Sequence, residues 1–144
     1  MASYRKCRFP KILQLASEQV QALRKEARDK YPMESCALLF GRYAEEKAVV
    51  TKIVVAPNIL KSTTRFQIDP QLVLDSFEQA EQEGLEFIGL FHSHPAPSNP
   101  SAIDIRYMRL WGNVIWLILS STDDSVAAFQ MVNGKIRKIR INVK

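Results

Sequence analysis

The stretch Leu85-Glu86-Phe87-Ile88-Gly89-Leu90-Phe91 is almost entirely apolar and runs straight into His92-Ser93-His94-Pro95. A strand that is apolar on both faces has to be covered on both, so this one belongs in the middle of a sheet with helices above and below. The rest of the chain can supply that cover. Its 144 residues are 47% hydrophobic and 24% charged, the profile of an ordinary globular domain. The expectation is one α/β domain, residues 1–144, built on a mixed sheet with three helices.

The flanking pattern agrees. Ile12-Leu13-Gln14-Leu15 reads as a short strand, and Ser17 reads as the N-cap of a helix burying Val20, Leu23 and Ala27. Tyr31-Pro32 ends that helix. Two β-rich runs follow, one from Ser35 to Tyr43 and one from Val49 to Ala56. They make a hairpin around Ala44-Glu45-Glu46-Lys47. Asp69-Pro70 starts a second helix, which Gly84 stops. Ser101 caps a third, stopped by Gly112. Val114 to Leu119 is a buried strand, and Asn133-Gly134 turns a terminal hairpin.

Several classes drop out. No apolar run approaches the roughly 20 residues that a membrane span needs, and the basic N-terminus lacks a signal peptide's apolar stretch. Cys7 and Cys36 are too few for a disulfide framework, which fits a reducing, cytoplasmic setting. The net charge of +5 favours acidic partners without naming one. No aromatic residues interleave the basic segments at either end, which argues against a nucleic-acid role.

The chemistry concentrates at His92 and His94, the only two histidines in the chain. Residues two apart on a strand share a face and lie about 6.6 Å apart along the backbone. Zinc bonds of about 2.0–2.1 Å need the ring nitrogens roughly 3.3 Å apart, a gap that two inclined rings can close. Asp104, on the first turn of the following helix, is the nearest third ligand. Two histidines and one carboxylate leave a position open for water, as catalytic zinc requires. Glu34, just ahead of an apolar strand, is the candidate base. Each piece also has a structural reading. Ser101 with Asp104 forms a capping-box variant, Glu34 reads as a solvated carboxylate at a strand end, and Cys36 reads as a small buried hydrophobe.

Taken together, Glu34, His92-Ser93-His94-Pro95, Ser101 and Asp104 resemble the JAMM (MPN+) signature of zinc metalloproteases. Tyr31-Pro32-Met33-Glu34-Ser35-Cys36-Ala37-Leu38-Leu39-Phe40-Gly41 is similar to that family's first block, and Asn58 through Phe66 with Asp69-Pro70 to its middle block. The likeness spans a core of about residues 11–143 and is strongest to short archaeal and bacterial members. Two departures stand out. The spacer between His94 and Ser101 is one residue shorter than the family's usual one, and Ala37 replaces a glycine.

The resemblance implies a curved mixed β-sheet flanked by helices, similar to cytidine deaminases. It implies one zinc per chain held by His92, His94 and Asp104, with Glu34 as base and Ser101 as oxyanion donor. It implies a deubiquitinase- or desampylase-type isopeptidase acting on ubiquitin-like modifiers conjugated to lysine, with proteasome association left open. The modifier's tail is expected to add to a sheet edge. The loop carrying Asn58, Ser62, Thr63, Thr64 and Arg65 is the candidate substrate contact, and its shortness implies broad linkage tolerance. The alternatives are a peptidase that processes sulfur-carrier proteins and a non-catalytic MPN scaffold.

Overall fold

A computed structural model describes residues 9–144; Cys7 lies outside them. The chain order is β1 (Ile12–Leu15), α1 (Ser17–Lys30), β2 (Cys36–Ala44), β3 (Lys47–Ala56), α2 (Pro70–Gln82), β4 (Glu86–His94), α3 (Ala102–Trp111), β5 (Ile115–Ser120), β6 (Val126–Val132) and β7 (Lys135–Val143). β4 is central, antiparallel to β2 and parallel to β5. This mixed α/β domain with three helices is the expected fold class.

The sheet does more than curve. Its order is β1-β3-β2-β4-β5-β6-β7, and β1 pairs in parallel with both β3 and β7, closing the ring. Every strand therefore has two neighbours. The closure is partial: β1 meets β3 only at residues 47–49, so from Val50 to Ala56 β3 pairs with β2 alone and keeps an edge without a strand partner among the described residues.

The two faces of the sheet carry separate cores. One packs around α1 through Val20, Leu23 and Ala27 against Leu39, Phe91, Leu117 and Ile139. The other joins Leu38, Phe40, Leu90, Trp116 and Ile118 to Ala80 of α2 and Met108 of α3. The apolar run of β4 is thus buried on both sides because each side meets a helix layer.

A β-bulge decides which face the histidines occupy. Leu39 pairs with Gly89 but Phe40 pairs with Phe87, so Ile88 is an extra residue on β4. Without it, simple alternation would set Leu90 and His92 opposite Phe87. With it, Phe87 and Leu90 share the face covered by α2 and α3, and His92 and His94 continue that face. Gly89 is required beside the bulge, since a Cβ there would stand 2.0 Å from the carbonyl oxygen of Ile115.

One local expectation is corrected. The N-cap of α1 is Ala16, not Ser17, and its backbone N–H is satisfied by Gln19 Oε1 at 2.8 Å. The strand carries His92 and His94 as expected, and β5 pairs with it as far as Ser120. No helix among the described residues is long and apolar enough to cross a membrane.

Candidate metal centre

Three elements converge where β4 ends. His92 and His94 come from the last turns of the strand's pleat, Asp104 from the first turn of α3, and Glu34 from the segment leading into β2. All four are buried, Glu34 being 2% and His94 5% exposed. The solvated reading of Glu34 is therefore excluded.

Asp104 Oδ2 lies 3.2 Å from His92 Nε2 and 3.8 Å from His94 Nε2. One ligand atom from each of the three residues falls within 4.8 Å of the others, so the group can hold a metal ion. The separations bracket the roughly 3.3 Å between donors in a tetrahedral zinc site. The hydrogen-bond inventory points the same way. His94 has neither ring nitrogen partnered, and Glu34 Oε1, 4.0 Å from His92 Nε2, is also without a partner. Buried polar atoms left unpaired cost free energy, and a cation among these donors would relieve it. The residues fit zinc.

The capping and ligand readings of Asp104 turn out to coexist. Ser101 Oγ accepts from the Asp104 backbone N–H at 3.1 Å, and Asp104 Oδ2 accepts from the Ser101 N–H at 2.9 Å. The reciprocal cap fixes the carboxylate while that same oxygen faces both histidines. The shorter spacer from Pro95 to Pro100 thus still delivers Asp104. The Ser101 hydroxyl hydrogen remains free to donate.

The electrostatics separate the two carboxyls. Burial pushes the Glu34 carboxyl up to about 8, and the charge of Asp104 adds to the rise. Burial also works to raise Asp104, but the hydrogen bond and charge of His92, with the Ser101 N–H, outweigh it and hold Asp104 below its ordinary value. One carboxyl is thus suited to take up a proton and the other to remain an anion. Burial, with the nearby Glu34, pushes the Cys36 thiol up to about 12, which makes it an inert core residue.

A model of prokaryotic homologs of the JAB domain matches residues 16–133. The chain belongs to the JAB/MPN family. A desampylase of Pyrococcus furiosus is 39% identical over 113 residues, 78% of this chain and 77% of that protein. A Thermus thermophilus protein named "Probable TtuB-protein conjugate cleaving protease" is 33% identical over 106 residues, 72% of this chain and 66% of its own length. The solution structure of a Desulfitobacterium hafniense protein shares the fold with a TM-score of 0.83, at 26% identity, over 92% of both chains.

Within this JAB domain, sequence reasoning missed what holds the candidate ligands. The ring of Phe66 stacks on His92 with centroids 4.9 Å apart and planes 23° apart, and Trp116 meets His92 edge-on at 5.8 Å. Aromatic packing therefore orients His92, whose Nδ1 has no hydrogen-bond partner. Phe66 stood in plain view beside the candidate loop, but nothing local says that its ring returns to β4.

The loop itself is not a free substrate contact at Asn58. The Asn58 carboxamide donates to the carbonyls of Glu34 and Arg65, each at 3.1 Å, and accepts from the N–H groups of Leu60 and Gln67. Ser62 Oγ accepts from the Thr64 N–H and meets Thr64 Oγ1 at 3.2 Å. Thr63 and Arg65 are exposed. Ala37 packs in the core around α1, on the far side of the sheet, so its extra methyl does not reach the metal centre.

Proposed function

We propose that this chain is a zinc-dependent isopeptidase that releases ubiquitin-like modifiers from lysine side chains. The observation that carries the reading is the buried convergence of His92, His94 and Asp104 beside Glu34, whose Oε1 has no hydrogen-bond partner. The relatives named for desampylation and conjugate cleavage supply the substrate class.

His92, His94 and Asp104 would hold the zinc. When bound, that ion supplies Lewis acidity, making a water nucleophilic near neutral pH and polarising the scissile carbonyl. Glu34 takes the proton from the attacking water as the new C–O bond forms. The Ser101 hydroxyl donates to the oxygen that becomes negative, an interaction that strengthens in the transition state. Glu34 then gives its proton to the departing lysine amine as the C–N bond breaks. The products are a free lysine and a modifier with a C-terminal carboxylate, with no covalent acyl-enzyme.

The test sets a lysine conjugate of a small ubiquitin-like modifier beside a linear fusion to the same modifier's C-terminus. The conjugate is expected to be cut, with activity abolished by a chelator and restored by added zinc. Cleavage of the fusion with the conjugate left intact would instead identify a processing peptidase. Intact substrates in both arms, with zinc loaded, would identify a scaffold.

Ser101 has two roles, and they separate in one variant. Ser101→Ala loses the cap of α3, worth about 1 kcal/mol, and lowers the melting temperature accordingly. It also loses the oxyanion donor, for which removal costs on the order of 100-fold in kcat. Turnover should fall far more than stability, as read by steady-state kinetics beside thermal melting.

A further inference from the structure

We propose that Ser93 and Asn58 are positioning residues that hold Glu34 from two sides. The inference rests on reading Glu34 as the base of the reaction above. Glu34 lies outside every strand, since β2 begins at Cys36. Its Oε1 has no hydrogen-bond partner, so no bond to that atom fixes the carboxylate where it faces His92. Its place must come from the backbone around it.

That backbone is gripped at three successive points. The Glu34 N–H donates to the carbonyl of Ser62 at 2.8 Å. The Glu34 carbonyl accepts from Asn58 Nδ2 at 3.1 Å. The next peptide N–H, that of Ser35, donates to Ser93 Oγ at 3.0 Å. The ladder between β2 and β4 stops at the pair Cys36 and His92. Beyond it the Ser93 side chain takes over the pairing. The Ser93 N–H returns a bond to the Ser35 carbonyl at 3.0 Å, and the two hydroxyls lie 2.8 Å apart.

Ser93 sits between the two histidines, so the residue that separates the metal ligands also tethers the base. Asn58 uses both of its carboxamide atoms within the fold, tying the same peptide to the loop of residues 58–67. The metal strand and that loop meet at Glu34 and its neighbour, as well as through the stacking of Phe66 on His92. A base displaced by even about 1 Å can cost roughly 100-fold in rate, which gives this tether catalytic consequence without contact to substrate.

The experiment compares Ser93→Ala, Asn58→Ala and the double variant with the zinc-loaded wild type. Three readouts are taken: metal content, steady-state kinetics, and amide hydrogen exchange. Ser93→Ala is expected to keep one zinc and an unchanged KM while kcat falls about 10- to 100-fold. Exchange at the Ser35 amide should accelerate while the amides of residues 87–91 stay protected. Ser93→Thr, which retains a hydroxyl, should recover most of the loss. Either single variant already frees Glu34, so the double variant should lose far less than the product of the two.

A folded Ser93→Ala protein with wild-type kcat overturns the proposal. So does loss of zinc together with activity, or a multiplicative double variant. If Ser93→Ala does not fold, Asn58→Ala faces the same kinetic and metal criteria alone. If the wild type cuts no conjugate, the isopeptidase reading fails separately. Exchange at Ser35 then decides the tether, and unchanged protection there overturns it.

Discussion

Glu34→Gln should bind zinc as the wild type does and lose turnover by about two to four orders of magnitude, the range that a positioned general base contributes. The substitution keeps the shape of the side chain and removes its ability to accept a proton. The site tolerates the change because a neutral amide is cheaper to bury than a carboxylate, and Glu34 is 2% exposed. Nor does it disturb the ligand set, whose shortest link is the 3.2 Å approach of Asp104 to His92. The backbone bonds to Ser62 and Asn58 do not involve the side chain and persist. Elemental analysis beside single-turnover cleavage checks both halves. Activity within tenfold of wild type would show that another group moves the proton, and a loss of zinc would show that Glu34 is a ligand.

Much of this site was legible because its ligands obey local periods. His92 and His94 share a face through the two-residue period of a strand, and Asp104 follows Ser101 at the spacing of a capping box. Glu34 is different. It sits 58 residues from His92, and only the register of β2 on β4 brings them together. No single-sequence pattern reports that register: the place of Glu34 ahead of an apolar strand made it a candidate base, and the family resemblance joined it to the histidines. The bulge at Ile88 makes the point sharply, since one extra residue decides which face receives the histidines.

The closure of the sheet was hidden for a related reason. β1 is four residues long and alternates weakly, yet it bridges β3 and β7 in parallel. Those pairings join residues 12–15 to 140–143, too far apart in the chain for turn chemistry to specify. The cap at Ala16 was missed because no side chain caps the first turn there; instead Gln19 reaches back to accept from the Ala16 N–H. Asn58 was expected only as part of the candidate substrate loop. Its satisfied carboxamide becomes visible only when the loop is folded back on Glu34.

His94→Ala should abolish zinc binding while sparing the metal-free fold. His94 carries no hydrogen bond from either ring nitrogen, so its removal breaks none. What it removes is one of three ligands, and loss of even an outer partner of a ligand costs about 10- to 100-fold in metal affinity. Thermal melting measures both effects. Zinc at about 100 times its dissociation constant should stabilise the wild type by about 2.7 kcal/mol, and the same addition should leave His94→Ala unmoved. His92→Ala offers the contrast. That ring stacks on Phe66 and meets Trp116, so its removal opens a gap in packed aromatics and lowers the metal-free melting temperature as well. If both variants melted alike without zinc, the aromatic shelf would have no part in orienting His92. If His94→Ala still gained stability from zinc, the ion would be bound elsewhere, and the convergence at the end of β4 would serve the fold alone.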